Sequence, residues 1–288
     1  MGWAGPGWAG RLWAWPSPSG ALYRLIRRVK HTIFLLTLAM TEKHTGHNYA
    51  TANAEHFSER ARSYRTELLE ELARRCATSI QKIYPFDVNT TEVLDFACGP
   101  GLVAFELLPY TKRIVGVDSA QGMVDVFNHD AQKKNISLDK IHCVKIDSLK
   151  GDQSDVDGQL FDVVICVQAY HHFEDPTHIT NALAQRLKPK GRLIVIDFAD
   201  DEGTQTILTR KREGAHIHTV AHKHGFSFEQ MTDMFKSAGL QDIHAEYGFK
   251  ISKSEMKSYQ GHELFGKALD GDDDISLQYF VAHGEKQS

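Results

Sequence analysis

Five short apolar runs, each closed by a turn or an acid and separated from the next by other structure, limit what this chain can fold into. They are Glu92–Phe96, Arg113–Val117, Ile141–Ile146, Phe161–Val167 and Leu193–Phe198. Strands apolar on both faces are expected where helices cover both sides of a parallel sheet, and alternation of strand with helix leads to the same α/β class. Leu102–Leu108 and Gly122–Ala131 read as intervening helices. Upstream, Phe57, Ala61, Tyr64, Leu68, Leu69 and Leu72 recur at helical spacing and predict one amphipathic helix. Asp175 is expected to cap a helix that begins at Pro176, with Ile179, Ala182, Leu183 and Leu187 as its apolar face. Ser227 and Gln230 form a capping box, Phe226 and Met231 a staple across it, and Gly239 a stop. Two more strands are expected near Asp242–Phe249 and Ser276–His283.

Composition narrows the function classes only slightly. Apolar residues make up 42% and charged residues 24% of the 288, as in ordinary globular domains. The net charge of −4 comes without a basic stripe in the main body, which argues against nucleic acid as a partner. The four cysteines, Cys76, Cys98, Cys143 and Cys166, include no Cys-x-x-Cys pair and read as reduced thiols in a reducing compartment. Residues 1–41 differ from the rest: they carry no acid, the cations Arg11, Arg24, Arg27, Arg28 and Lys30, and every tryptophan of the chain. This extension is expected to be disordered or to be a mitochondrial presequence, with Met40 as an alternative start. The expected location is cytoplasmic, or mitochondrial if the presequence operates. The apolar run Ile33–Met40 is too short for a stable membrane span.

The chemistry gathers at the strand ends. Val93-Leu94-Asp95-Phe96-Ala97-Cys98-Gly99-Pro100-Gly101 is a strand, an acid and a glycine turn that opens a helix. Glycine lets a backbone approach a ligand closely, and ligands of such sheets bind beyond the carboxyl ends of the strands. The nicotinamide fingerprint Gly-x-Gly-x-x-Gly is absent. An acid in the turn would repel a pyrophosphate and suits an amino group, such as that of the methionine portion of S-adenosylmethionine. Asp118 ends the second strand, where its two oxygens can take both ribose hydroxyls, with Ser119 beside it. Met123, one helical turn on, can pack on adenine, and Asp147, followed by Ser148, can accept from the adenine amino group. The competing reading is that Asp118 and Asp147 only cap the helices after them.

With these motifs in place, the chain resembles the seven-stranded S-adenosylmethionine-dependent methyltransferases, in the small-molecule branch that includes ubiquinone and menaquinone biosynthesis enzymes. The similarity covers roughly 57–284. It is carried by DFACGPG at Asp95–Gly101, GVDSAQGM at Gly116–Met123, FDVVICVQAYHHF at Phe161–Phe173 and LKPKGRLIVIDF at Leu187–Phe198. The resemblance implies a doubly wound, seven-stranded, mostly parallel sheet with a terminal antiparallel hairpin and helices on both faces. It implies a methyltransferase domain over residues 42–288 and S-adenosyl-L-methionine as cofactor. Contacts to that cofactor are implied for Asp95, Gly99, Gly101, Asp118, Ser119, Met123, Asp147, Ser148, Val167 and Gln168, and Tyr64 resembles a tyrosine that closes over the cofactor in relatives. One departure is Ala97, where many members carry glycine.

After the fourth strand stands Val167-Gln168-Ala169-Tyr170-His171-His172-Phe173. The Asn/Asp-Pro-Pro-aromatic turn usual in methylation of amide or exocyclic amino nitrogens is missing, which points to a small organic acceptor. Methyl transfer is an in-line displacement in which the cofactor brings its own leaving group, so the protein mainly aligns the reactants. A hydroxyl, thiol or carbon acceptor is helped by a base of near-neutral pKa. His172 is placed to be that base and His171 is the second candidate; a purely structural histidine is the alternative. Residues 200–225 interrupt the alternation and are expected to form a cap-like insertion. His216, His218, His222 and His224 within it read as a lid over the acceptor, as a solvated loop or, least of all, as a metal site; no metal is expected. Asp197, Asp200 and Asp201 invite comparison with magnesium-dependent catechol methyltransferases, but the remaining motifs of that group are absent. A catalytically inactive S-adenosylmethionine-binding regulatory or assembly protein is the alternative function, and the oligomeric state is not legible.

Overall fold

The structure, a computed structural model, describes residues 48–146, 158–212 and 219–288, with Met1 and Val156 as isolated positions. The basic extension, Asp147, Ser148, His216 and His218 lie outside the described residues.

The expected strands form one seven-stranded sheet. They are β1 (Glu92–Phe96), β2 (Arg113–Asp118), β3 (Ile141–Lys145), β4 (Phe161–Val167), β5 (Leu187–Phe198), β6 (Leu240–Ser252) and β7 (Ser276–Lys286). Their spatial order is β3-β2-β1-β4-β5-β7-β6. Strands β1 to β5 run parallel, and β7 is antiparallel to both β5 and β6. The period-2 alternation of side chains divides the apolar runs between two layers. Val93, Ile114, Val163, Ile165, Ile194 and Ile196 face one buried cluster, while Leu94, Val115, Val164, Cys166, Leu193 and Val195 face the other. The helices α2 (Glu67–Ile83), α3 (Leu102–Leu107) and α4 (Gln121–Lys133) cover the first layer, and α5 (Pro176–Gln185) and α7 (Phe228–Ser237) the second. The remaining helices are α1 (Tyr49–Arg60), α6 (Glu202–Arg212), α8 (Lys253–Ser258) and α9 (His262–Phe265).

Two expectations need correction. The single amphipathic helix over 57–72 is two helices, α1 and α2, separated by a turn at Ala61–Ser63. Thr66 adopts an extended backbone and its hydroxyl accepts the Leu69 N–H at 3.3 Å, so a new helix starts there. The helical spacing of apolar residues continued through the break, and the cap within it went unread. Leu187, expected on the apolar face of α5, instead opens β5 opposite Phe161, because the helix stops at Gln185. The cap at Asp175, the capping box at Ser227 and Gln230, and the stop at Gly239 (φ +74°) are present.

Among the described residues, the end of segment 200–225 is tied to the end of β5. Phe226 N–H donates to the Phe198 carbonyl and Asp200 N–H to the Phe226 carbonyl, each at 3.0 Å. Within it α6 buries Ile207 in the first of the two core layers.

Ala97 has a φ of +56°, in the left-handed region where a Cβ is disfavoured. The departure noted in the sequence is therefore a strained one. Ala97→Gly is expected to raise stability by about 0.5–1 kcal/mol, strain relief exceeding glycine's entropy cost. Urea unfolding with an unchanged slope checks this; a fall in the midpoint would show that the Cβ contacts outweigh the strain.

Candidate active site

Strand order reverses between β1 and β4, and a cavity of about 410 Å³ opens there, beyond the carboxyl ends of the strands. Its floor is the glycine turn after β1, Asp118 and Ser119 after β2, Ile146 after β3, and Val167 and Gln168 after β4. Its wall is the face of α1 carrying Tyr49, Asn53 and Phe57 at four-residue spacing, with Tyr64 beyond. Of the residues expected to form the site, Tyr64, Gly99, Asp118, Ser119, Met123, Val167, Gln168 and His172 line this cavity. Asp95, Gly101 and His171 are not among the residues that line it.

Asp118 ties the turn together. Its Oδ2 accepts the Gly99 N–H and its Oδ1 the Ala120 N–H, both at 2.8 Å. The carboxylate thus joins the glycine turn to the start of α4, and each oxygen keeps a further lone pair for a ligand. Burial raises its pKa, against the lowering effect of those backbone N–H groups. Asp95 is 2% exposed, and its Oδ2 has no hydrogen-bond partner among the described residues. Burial first, then the charge of Asp118, pushes its pKa up to about 8. A buried carboxylate oxygen left without a donor is costly, and a cationic ligand entering beside it would remove that cost. Burial, and next Asp118, also push Tyr64 up to about 12.

The two glycines of the turn have different reasons to be glycine. A Cβ on Gly99 (φ +54°) would meet no protein atom within 4 Å. Gly99 lines the cavity, so that empty space is a cradle that a side chain would fill. A Cβ on Gly101 (φ +82°) would stand 2.6 Å from the Phe127 ring. Gly101 is therefore required by packing of α4 against the turn.

His172 meets Phe57 edge to face at 5.2 Å, and its Nδ1 donates to the Thr219 carbonyl. A carbonyl only accepts, so the hydrogen sits on Nδ1 and Nε2 retains its lone pair. Burial holds the ring pKa well below the usual histidine range, helped by His171, Lys211 and His56 nearby. His171 is 8% exposed and donates from Nδ1 to the Asp197 carboxylate at 2.8 Å. Of the insertion's histidines within the described residues, His222 packs on the Phe226 ring at 4.9 Å and His224 is exposed. Among the described residues no group of three His, Cys, Asp or Glu side chains is arranged to hold a metal ion, and no helix is long and apolar enough to cross a membrane.

Sequence reasoning missed the contribution of α1. Tyr49 and Asn53 sit in a helix with no fully buried residue and weak amphipathicity, and its inner face covers the cavity rather than the core. Asp197 was weighed only with Asp200 and Asp201 as a magnesium-type acid, not as a partner of His171, although it is the lone acid in an apolar strand run.

A methyltransferase-domain family model matches residues 68–251. The chain belongs to this methyltransferase family. An uncharacterised methyltransferase of Schizosaccharomyces pombe is 35% identical over 196 residues, covering 67% of this chain and 66% of that protein. The ubiquinone biosynthesis O-methyltransferase of Rickettsia bellii is 25% identical over 198 residues, 68% of this chain and 75% of the relative. Among solved structures, the YcgJ protein of Bacillus subtilis superposes with a TM-score of 0.53 at 20% identity, over 74% of this chain and 98% of that one. Phosphoethanolamine N-methyltransferase 2 of Haemonchus contortus, solved with S-adenosyl-L-methionine, gives a TM-score of 0.53 at 16% identity, over 73% of this chain and 52% of that one. The protein is an S-adenosylmethionine-dependent methyltransferase with the doubly wound fold expected for it.

Substitution should separate the two glycines. Gly101→Ala is expected to cost about 2–4 kcal/mol of stability through overpacking and φ strain. Gly99→Ala should cost only the strain, about 1–2 kcal/mol, yet weaken S-adenosylmethionine binding by about tenfold or more. Thermal unfolding and calorimetry of the two variants read these effects separately.

Proposed function

We propose that this methyltransferase acts on a small organic acceptor, and that His172 takes the acceptor's proton as the methyl group is transferred. The carrying observation is that one cavity presents both the glycine turn with Asp118 and Ser119 and an uncharged imidazole with a free Nε2 lone pair. On this reading Asp95 meets the amino group of the cofactor, Asp118 its ribose hydroxyls, and Met123 its adenine. Asp147 and Ser148 are proposed to complete the adenine edge. The cofactor supplies a sulfonium-bound methyl group and its own leaving group. The chain's residues bind it and align the reactants, and His172, held below the near-neutral range by burial, stands uncharged as a weakly basic proton acceptor.

Several observations favour a small acceptor. Phe57, Phe173 and Ile179 give the cavity apolar walls, while Asn53 and His178 add polar ones. Asn53 Oδ1 is buried without a partner among the described residues. Relatives carry names that specify ubiquinone biosynthesis and phosphoethanolamine. The chain's net charge of −4 offers little to a polyanion.

Incubation with isotope-labelled S-adenosylmethionine and a metabolite extract tests the reading. Label is expected in a small molecule heavier by one methylene mass, and its loss is expected in His172→Ala. Label found only in the nucleic acid or protein fraction would refute the small acceptor.

The raised pKa of Asp95 adds a pH test. A carboxyl whose folded pKa is raised stabilises the ligand-free protein below its unfolded pKa of 3.8, and that contribution is lost as pH rises through about 8. Binding the cofactor's ammonium group selects the ionised carboxylate. Proton release on binding is therefore expected near neutral pH, and the thermal stabilisation given by S-adenosylmethionine should grow from about pH 6 to about pH 8. Calorimetry in buffers of different ionisation enthalpy checks the release, which Asp95→Asn should abolish.

A further inference from the structure

Asp197 interrupts the apolar run Leu193-Ile194-Val195-Ile196-Asp197-Phe198, and its side chain is wholly buried. A carboxylate withdrawn from water is costly unless it is paired and hydrogen-bonded, and packing alone would favour an apolar residue at this place. Its oxygens accept the His171 ring Nδ1–H at 2.8 Å, the His171 backbone N–H at 3.2 Å and the Phe198 N–H at 2.7 Å. Among the described residues His171 is the only side chain that hydrogen-bonds to it. The thiols and phenols around it, Cys76, Cys166, Tyr170 and Tyr279, are all pushed up by burial and bring no positive charge.

Asp197 thus grips both the ring and the backbone of His171. The His171 ring lies against that of His172, their centroids 4.0 Å apart at a tilt of 41°. The His171 carbonyl accepts the N–H groups of Ala221 and His222, both at 3.0 Å, and so fixes the segment whose Thr219 carbonyl receives His172 Nδ1–H. His171 therefore touches the His172 ring directly and, through Ala221 and His222, anchors the segment that carries Thr219, and His171 is itself held by Asp197.

We propose that Asp197 is the positioning residue of this site. Through His171 it fixes the plane and tautomer of His172 while standing outside the cofactor cavity. Partners behind a working imidazole set its tautomer in just this manner. The expected effect on turnover rests on His172 being the proton acceptor; the effect on the imidazole itself does not.

The test uses the full chain labelled with ¹⁵N-histidine, read by long-range ¹H–¹⁵N correlation, together with calorimetric titration of S-adenosylmethionine. In the wild type, His171 and His172 should each show a single Nδ1–H tautomer. In Asp197→Asn both should average between tautomers, while the Kd for S-adenosylmethionine stays within about twofold. Turnover of the acceptor found in labelled extract should fall by about tenfold or more, since removal of the acid that orients a catalytic imidazole lowers turnover strongly. Unchanged tautomers in Asp197→Asn overturn the proposal. Should Asp197→Asn fail to fold, His171→Asn decides. Its amide can donate to Asp197 in place of Nδ1 but presents no ring, so the His172 signal must average, and an unchanged signal overturns the proposal. Averaged tautomers alongside a fully active His172→Ala would uphold the positioning role and refute His172 as the proton acceptor.

Discussion

Burial of both faces of the parallel strands is the constraint on which the rest of this structure depends. Val93 and Leu94, Val163 and Val164, and Ile194 and Val195 point to opposite layers, and each layer is roofed by helices. Polar groups then have few places to go. Those of the glycine turn, Asp118 and Gln168 are gathered at the strand ends, where order reverses between β1 and β4. The same burial perturbs the acids near that edge: Asp95 is raised to about 8, and Asp118 is raised despite the two N–H groups it accepts from Gly99 and Ala120. Site and core are products of one arrangement.

Strain collects in the same region. Ala97 and Gln168 both have positive φ, at the ends of the two strands that flank the switch point. Gln168 is held there by its N–H to the Ile196 carbonyl at 2.7 Å. Positive φ at such positions is tolerated where surrounding packing over-determines the backbone, and here both residues line the cavity.

Most of the sheet was legible because its strands are apolar on both faces, a pattern few other folds require. The acids at 95 and 118 were legible for a related reason: a carboxylate closing an apolar run has no role in the core. Other features were not. The break between α1 and α2 was hidden because apolar spacing continues across it, while the turn is set by a single cap at Thr66. Asn53 looked like any surface amide, since the cavity it faces exists only once α1 lies over the strand ends.

Local chemistry written in the chain determined the α/β class, the strand ends that hold acids and glycines, and the caps at Asp175 and Ser227. These depend on residues near one another in sequence. Tertiary structure alone decided that Gly99 faces a ligand space whereas Gly101 faces Phe127, and that His172 lines the cavity whereas its neighbour His171 turns back to Asp197. Those distinctions depend on contacts between segments far apart in the chain. A sequence read along its length does not specify which side chain meets which across the sheet.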